Sequence, residues 1–316
     1  MKGIITSGWG SGTRLTLAEV PAPGAPGPDD VLVRVHAASV NPKDWKINYH
    51  IAMLATPLLV KRLRPLFGDD LAGTVLAVGR DVTDFAVGDE VYGMDMRLRT
   101  ASLAEQTRIS QKRIASKPPS LTFAEAAAMP LAAQTALQGL RRGGARAGSR
   151  VLIIGASGGV GSFAVQIARA MNCHVTGVCS GRNSALVREL GADEVIDYTR
   201  GDYRSSAGPF DLVFDVTSFE SPRSCSALIA DGGWFISTGG DARAMLGTPL
   251  YRLTGRKATS IVVESWRDDL ETLAKMVAQG QLKPVIDSEY ELADADAAYR
   301  HNRAGRSRGK VVIRIP

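Results

Sequence analysis

Residues 150–183, RVLIIGASGGVGSFAVQIARAMNCHVTGVCSGRN, follow the pattern of a strand, a glycine-rich turn, a helix and a second strand. Residues 151–154 are an unbroken apolar run, which is typical of a parallel strand buried on both faces. Between this run and the helical pattern, Gly158 and Gly161 fill the second and third glycine positions of G-x-G-x-x-G, with Ala156 at the first. This order predicts the first unit of a dinucleotide-binding fold, in which a helix N-terminus holds a pyrophosphate.

The same stretch lacks the acidic residue that would favour NAD(H). An NAD site places Asp or Glu about 20 residues after the glycines, at the end of the second strand, to bind the ribose 2′-hydroxyl. Residues 126–188 contain neither Asp nor Glu, and the second strand ends in Ser180, Gly181, Arg182 and Asn183. A hydroxyl, a guanidinium and an amide suit a 2′-phosphate, which a carboxylate would repel. We therefore predict NADP(H) as the cofactor; the alternative is that Arg182 is a solvated residue entering the next helix.

Composition and charge indicate a globular protein with an anionic ligand. The 316 residues are 45% hydrophobic and 22% charged, which is enough for about two domains. The net charge is +6, and residues 126–188 carry seven arginines and no acid. We expect this basic excess to surround the phosphate site, which favours a cofactor over a nucleic-acid surface. The seven are Arg141, Arg142, Arg146, Arg150, Arg169, Arg182 and Arg188.

Apolar segments and cysteines predict a cytoplasmic location. The first ten residues lack the apolar segment of a secretory signal, and the longest nearly apolar run, residues 51–60, is too short to span a bilayer. Cys173 and Cys179 bracket one predicted strand, about 20 Å apart, which is too far for a disulfide. We expect a cytoplasmic protein with inert buried cysteines; reactive-thiol roles are the alternative.

Two patterns divide the chain near Pro118. The residues before it predict a β-rich, barrel-like domain, and those after it predict alternating strands and helices, hence a doubly wound parallel sheet. The expected β-rich strands are 2–6, 31–37, 72–78 and 90–92; the later ones are 151–154, 175–178, 195–196, 212–214, 234–237, 260–263 and 311–315. The expected helices include one ending at Ile229, one at 266–278 and an acidic one from Leu292.

Seven motifs in this order resemble the medium-chain dehydrogenase/reductase superfamily, specifically its zinc-independent quinone oxidoreductase-like branch. They are SVNPKD at 39–44, GDDLAG at 68–73, VGDEVYG at 87–93, MPLAAQTA at 129–136, GASGGVG at 155–161, LGADEVIDY at 190–198 and RGKVV at 308–312. The resemblance implies an α/β fold of two domains. A GroES-like β-rich barrel domain would comprise residues 1–118 with 266–316, and a Rossmann doubly wound parallel-sheet domain residues 119–265. A homodimer through strand 260–263 is also implied.

The resemblance also implies the cofactor contacts. Ser157, Gly159 and Val160 would bind the pyrophosphate; Ser180, Arg182 and Tyr198 would surround the 2′-phosphate. Asn41 and Thr135 would lie near the nicotinamide ribose, and Gly239 and Arg308 would complete the pocket. With the motif glycines Gly158 and Gly161, and with Asn183 of the polar turn, these residues form the predicted NADP(H) site.

The expected chemistry does not use a metal. Zinc-dependent relatives carry Cys where this chain has Asn41, and His-Glu where it has Asp69 and Asp70. No cysteine precedes residue 173, and the four histidines lack paired ligand spacing. Without a Lewis acid, alcohol oxidation is disfavoured, whereas hydride transfer to a quinone or an α,β-unsaturated carbonyl remains feasible.

A hydrogen-bond donor would assist that transfer, and the sequence offers several. The candidates are Asn41, Lys43, Tyr49 and Tyr92, although Lys43 and Tyr49 also suit the surface and Tyr92 the core. We expect a small quinone or enone substrate and neither a membrane nor a nucleic acid as partner. Two alternatives stay open: an enoyl-thioester reductase, and a non-catalytic NADPH-sensing or RNA-binding protein on the same fold. The clustered arginines motivate the last, and an aromatic content of 6% counts against it.

Overall fold

The computed structural model describes residues 1–7, 14–44, 68–95, 102–205, 208–239 and 257–316. It contains two compact units. The first comprises Met1–Leu131, Ser265–Ala278 and Pro284–Pro316, and the second comprises Ala132–Glu264 with Gln279–Lys283. The sequence predicts the division near residue 118, whereas it falls after Leu131, because the short helix Phe123–Ala127 packs on strands of the first unit.

The first unit is built on a seven-stranded sheet. The strands of the unit, including two outside this sheet, are β1 (Lys2–Ser7), β2 (Arg14–Glu19), β3 (Asp30–Ser39), β4 (Asp70–Val78), β5 (Glu90–Met94), β6 (Gln106–Ser110), β7 (Ile114–Ser116), β14 (Ile286–Glu291) and β15 (Lys310–Arg314). The sheet order is β14-β15-β3-β4-β5-β7, with β6 also paired to β3 and with β1 and β2 forming a separate ribbon. Its helices are α1 (Phe123–Ala127), α5 (Arg267–Ala278) and α6 (Ala295–Arg303).

Alternation of buried residues fixes the central strand of this unit. Val31, Val33 and Val35 are fully buried, so one face of β3 lies in the core. Its pairing with β4 and β15 places Ser39 opposite Asp70 on one side and Val312 on the other. The end of β3 and the beginnings of β4 and β15 therefore meet, and they bring polar residues together at one place.

The second unit has the doubly wound form that the alternating pattern predicts. Its strands are β8 (Arg150–Ile154), β9 (His174–Cys179), β10 (Glu194–Asp197), β11 (Phe210–Asp215), β12 (Ile229–Ser237) and β13 (Lys257–Ser260), all parallel in the order β10-β9-β8-β11-β12-β13. The helices are α2 (Pro130–Arg142), which begins at the unit boundary, α3 (Gly159–Ala170) and α4 (Ser184–Glu189). The α/β fold class is confirmed.

Two predicted elements differ from the structure. The prediction of a helix ending at Ile229 is wrong, because the described residues 216–228 contain turns and one short 3-10 helix, Ser226–Leu228. The Asp215 carboxylate accepts backbone hydrogen bonds from Thr217, Ser218 and Glu220, and these hold the segment as a loop. The expected strand 260–263 begins and ends earlier, at Lys257–Ser260, because its partner β12 ends at Ser237 opposite Ser260.

Helix length and burial bear on two further expectations. Among the described helices, none is long and apolar enough to cross a lipid bilayer.

The three cysteines are buried and free, and burial raises the pKa of each thiol, for Cys225 to about 12. These thiols are therefore poor nucleophiles at neutral pH, as the sequence predicts.

Candidate active site

The glycine-rich turn in the second unit leaves space at the start of α3. Gly155 follows β8 with a φ of +89°, which favours glycine. A Cβ atom on Gly161 would lie 2.1 Å from the Gly155 oxygen, so the helix packs directly against the turn. A Cβ atom on Gly158 would approach only the Gly155 oxygen, at 3.4 Å. Because Gly158 has no side chain to cap α3, the backbone N–H groups of its first turn suit an anion such as a pyrophosphate.

A buried amide braces this turn. Asn183 Nδ2 donates a 2.9 Å hydrogen bond to Ser157 Oγ, and the two side chains are largely buried. The Ser157 hydroxyl therefore keeps its own proton to donate to a phosphate. Asn183 Oδ1 is buried and has no hydrogen-bond partner among the described residues, which fits a site that a polar ligand completes.

Three of the residues predicted for the adenosine end lie along the carboxyl edge of the sheet, meaning the edge formed by the C-terminal ends of its strands. The parallel register sets Cys179 of β9 beside Asp197 of β10, so Ser180 and Tyr198 follow neighbouring strand ends. The Tyr198 N–H donates to the Cys179 oxygen at 3.2 Å, and the Tyr198 side chain is 55% exposed. Arg182 is exposed in the turn after β9. A hydroxyl, a guanidinium and an aromatic side chain therefore belong to residues that follow neighbouring strand ends, and their contact with one ligand stays a prediction.

Sequence reasoning missed a carboxylate at this edge. Asp197 Oδ1 accepts hydrogen bonds from the Thr199 N–H at 2.9 Å and from Thr199 Oγ1 at 2.7 Å. A Cβ atom on Gly181 would lie 2.3 Å from Asp197 Oδ2, so the carboxylate packs against the turn that carries Arg182. The signal was available, because neighbouring parallel strands end at the same edge and an acid precedes Tyr198.

The arginines do not surround the glycine-rich turn as expected. Arg150 begins β8, Arg141 and Arg142 end α2, and Arg169 and Arg188 lie in the last turns of α3 and α4. Strand beginnings and helix ends lie at the edge of a doubly wound sheet opposite to its carboxyl edge. Of the seven arginines, Arg182 alone follows a strand end. The prediction of a basic field around the phosphate site is therefore wrong.

Three other predicted cofactor residues lie on different elements of the two units. Thr135 is buried in α2, and Gly239 follows β12 with a φ of +68°. In the first unit, Arg308 is exposed, and its N–H donates to Asp287 Oδ1 at 2.7 Å. Their role in cofactor binding stays a prediction.

A buried polar cluster lies where β3, β4 and β15 meet in the first unit. Asn41 Nδ2 donates to Asp70 Oδ2 at 2.8 Å, and Lys310 Nζ donates to Asn41 Oδ1 at 2.5 Å. Asp70 also accepts hydrogen bonds from Ser39 Oγ at 2.6 Å and from the Leu131 N–H at 2.7 Å. Asn41 is therefore rigidly held. Lys310, which helps to hold it, belongs to the RGKVV motif, but the sequence pattern assigns it no role.

More charged groups complete this cluster. Tyr299 donates to Asp44 Oδ2 at 2.8 Å, the Asn41 N–H donates to the same oxygen at 3.0 Å, and the Lys43 ammonium group contacts Asp69 Oδ2. We call this set the Asn41 cluster; its members are Asn41, Lys43, Asp44, Asp69, Asp70, Tyr299 and Lys310. Burial, and next the Asp44 carboxylate, raise the pKa of Asp69 to about 8. The Asp69 carboxyl group therefore retains its proton at neutral pH.

One of the four candidate donors is corrected by the structure, and another lies outside the described residues. Tyr92 is fully buried in β5, and its hydroxyl donates to the Leu270 oxygen at 2.6 Å. Its proton is committed inside the core, so the assignment of Tyr92 as a catalytic donor is corrected. Tyr49 lies outside the described residues.

No metal-binding group was found where the structure can be described. In those ranges, no three His, Cys, Asp or Glu side chains form a group that could hold a metal ion. Asn41 and Asp70 instead hydrogen-bond each other and Lys310. The absence of a metal in catalysis stays a prediction.

Family models match both halves of the chain. Residues 27–136 match the alcohol dehydrogenase GroES-like domain, and residues 190–313 match a model described as zinc-binding dehydrogenase. Among solved structures, the quinone oxidoreductase from Coxiella burnetii superposes with a TM-score of 0.87 at 28% identity, covering 100% of this chain and 99% of that one.

Curated relatives match over most of their length. The chloroplastic quinone-oxidoreductase QR1 of Triphysaria versicolor is 33% identical over 99% of this chain and 98% of its own. The mitochondrial NAD(P)H oxidoreductase RTN4IP1 of Homo sapiens is 34% identical over 91% of this chain and 82% of its own. The 2-methylene-furan-3-one reductase of Solanum lycopersicum is 34% identical over 90% of this chain and 71% of its own.

Proposed function

This chain is an oxidoreductase that belongs to the medium-chain dehydrogenase/reductase superfamily, in its quinone oxidoreductase-like branch, and we propose that it transfers hydride from NADPH to a quinone or an α,β-unsaturated carbonyl. Membership supports a nicotinamide cofactor. One observation carries the proposed reaction: the buried Asn41 cluster, which holds a proton near neutral pH. Reduction of an activated acceptor consumes one hydride and one proton, and a proton-holding cluster suits it.

The second unit would bind the cofactor. The first-turn N–H groups of α3 and the Ser157 hydroxyl would donate to the pyrophosphate, with Asn183 holding Ser157 in place. Ser180, Arg182 and Tyr198 would contact the 2′-phosphate, and Arg182 would supply the charge. The full set proposed is Asn41, Thr135, Ser157, Gly158, Gly159, Val160, Gly161, Ser180, Arg182, Asn183, Tyr198, Gly239 and Arg308.

The first unit would handle the proton. When bound, NADPH supplies the hydride, and negative charge develops on the acceptor oxygen. Asn41 would orient a polar group of the cofactor or the acceptor. The proton that Asp69 retains at neutral pH would then neutralise the reduced product, directly or through water.

Of the two alternatives, one is retained. An enoyl-thioester reductase needs the same hydride and proton, and the loops expected to select the acceptor, residues 47–66 and 238–254, lie almost entirely outside the described residues. The non-catalytic alternative is not retained, because the relatives are named reductases or oxidoreductases.

Assembly and location complete the proposal. We propose a homodimer through residues 260–263, because β13 is the edge strand of its sheet and Val262, two residues beyond it, is 67% exposed. Cytoplasmic location stays a prediction, since QR1 is chloroplastic and RTN4IP1 mitochondrial.

The deciding experiment is one screen of NADPH oxidation. Purified protein is assayed with a panel of quinones, simple enones and crotonyl thioester under identical conditions. Saturable turnover of a quinone or enone supports the proposal, and saturable turnover of the thioester alone would assign the alternative. Tight NADPH binding without oxidation by any acceptor would contradict both reactions.

A further inference from the structure

We propose that Asp197 sets how strongly this protein discriminates NADPH from NADH, an inference that rests on the proposed cofactor site. The residue ends β10 beside the end of β9. It lies next in sequence to Tyr198 and packs against the turn that carries Arg182, so it adjoins the group expected to bind the 2′-phosphate.

The contact with this turn is close. A Cβ atom on Gly181 would lie 2.3 Å from Asp197 Oδ2 and 3.1 Å from its carboxyl carbon. Only a residue without a side chain fits there while the carboxylate keeps its place. Because Gly181 stands between Ser180 and Arg182, the carboxylate supports the backbone that presents both side chains.

The carboxylate is ionised at neutral pH. Hydrogen bonds from the Thr199 hydroxyl and N–H, with a further one from the Gly181 N–H, hold the pKa of Asp197 below its usual range. Arg200 acts in the same direction. A permanent negative charge therefore lies at the edge where a 2′-phosphate would bind.

The negative charge of Asp197 acts on a bound 2′-phosphate in the opposite direction to the positive charge of Arg182. It repels a 2′-phosphate but not a ribose 2′-hydroxyl, so it weakens NADPH and leaves NADH almost untouched. An acid at the end of the second strand is the usual selector for NAD, and here the acid comes from the neighbouring strand. The protein would consequently prefer NADPH only moderately and would retain use of NADH.

The test is Asp197→Asn, which removes the charge and keeps the shape. Dissociation constants for NADPH and NADH are measured by quenching of protein fluorescence, and their ratio is compared with that of the wild type. The preference for NADPH should rise about three- to tenfold, the size expected for one unit charge acting on a phosphate across several ångströms, and the gain should shrink in 1 M salt.

Two further variants separate charge from structure. Glu194→Gln removes a carboxylate from the opposite end of β10, and Thr199→Ala removes one hydrogen bond while keeping the Asp197 charge. Both should leave the ratio unchanged. An unchanged ratio in Asp197→Asn, or equal weakening of both cofactors, would overturn the proposal. Failure of the wild type to bind NADPH would instead refute the cofactor site itself, and this inference with it.

Discussion

Lys310 Nζ lies 2.5 Å from Asn41 Oδ1, and this contact fixes the orientation of the asparagine amide. An ammonium group can only donate hydrogen bonds, so the amide atom facing it must be the oxygen. The amide nitrogen is then directed at Asp70 Oδ2, 2.8 Å away. Strands β4 and β15 and the segment after β3 thus contribute to one hydrogen-bonded chain, in which the lysine orients the residue expected beside the nicotinamide ribose.

Replacing Lys310 with methionine should destabilise the protein. Lys310→Met leaves Asp70 buried without its cation, and removing one partner of a buried pair typically costs about 3 kcal/mol. Urea unfolding followed by circular dichroism measures the loss. Lys112→Met, at an exposed position, should change the free energy of unfolding by less than about 0.5 kcal/mol. Equal stability of the two variants would show that the contact contributes little.

Asp69 should make stability depend on pH. Its pKa is raised from 3.8 to about 8, so the folded state retains a proton that the unfolded chain loses. The stabilisation is complete below about pH 4 and is lost as the pH rises through 8, at a rate of at most about 1.4 kcal/mol per pH unit.

Asp69→Asn removes this dependence. Thermal midpoints measured from pH 5 to pH 9 should fall less in the variant than in the wild type, while Asp231→Asn, at an exposed position, should reproduce the wild-type slope. A variant with an unchanged slope would mean that other members of the Asn41 cluster hold the proton.

Sequence patterns predict the elements whose signals are contiguous along the chain. They miss side-chain contacts that depend on how strands pair. The apolar run and the glycines of the 150–183 stretch specify β8 and α3 because their signals are contiguous. The role of Lys310 was missed because the lysine joins its site through the register of a neighbouring strand, which no local pattern contains. Tyr92 was misassigned for the same reason, since its partner Leu270 lies far along the chain. Asp197 was overlooked although its place at the end of a predicted parallel strand could be inferred from the sequence.

Alanine substitutions at two glycines of the motif should have different effects on stability and on NADPH binding. Gly161→Ala forces a Cβ atom against the backbone of Gly155 and should cost about 2 kcal/mol or more of stability. The Cβ atom of Gly158→Ala would approach only the Gly155 oxygen, at an ordinary contact distance of 3.4 Å, so stability should fall by less than about 1 kcal/mol. NADPH should nevertheless bind at least about tenfold more weakly to Gly158→Ala, because the added methyl enters the space predicted for the pyrophosphate. Unfolding curves and NADPH titrations of both variants provide the check, and unaltered NADPH binding by Gly158→Ala would place the pyrophosphate elsewhere.

Arg182 should distinguish the two cofactors. Arg182→Ala is expected to weaken NADPH binding by about 1–3 kcal/mol, the range for a charged hydrogen bond, and to leave NADH nearly unaffected. Isothermal titration with each cofactor measures both effects. Arg188→Ala, at the other end of α4, is the matched control and should alter neither. Equal losses for NADPH and NADH would exclude contact between Arg182 and the 2′-phosphate.

Val262 tests the proposed dimer. In a two-fold interface each residue occurs twice, so a charge placed at an edge strand near the axis is buried and faces its own copy. Val262→Glu should therefore raise the dimer dissociation constant at least about tenfold. Val87→Glu is a matched control, because Val87 is 66% exposed against 67% for Val262 and lies in the first unit. In sedimentation velocity over a concentration series, Val262→Glu should dissociate to monomer at concentrations where the wild type and Val87→Glu remain dimeric. If both variants sediment like the wild type, the 260–263 segment does not form the interface.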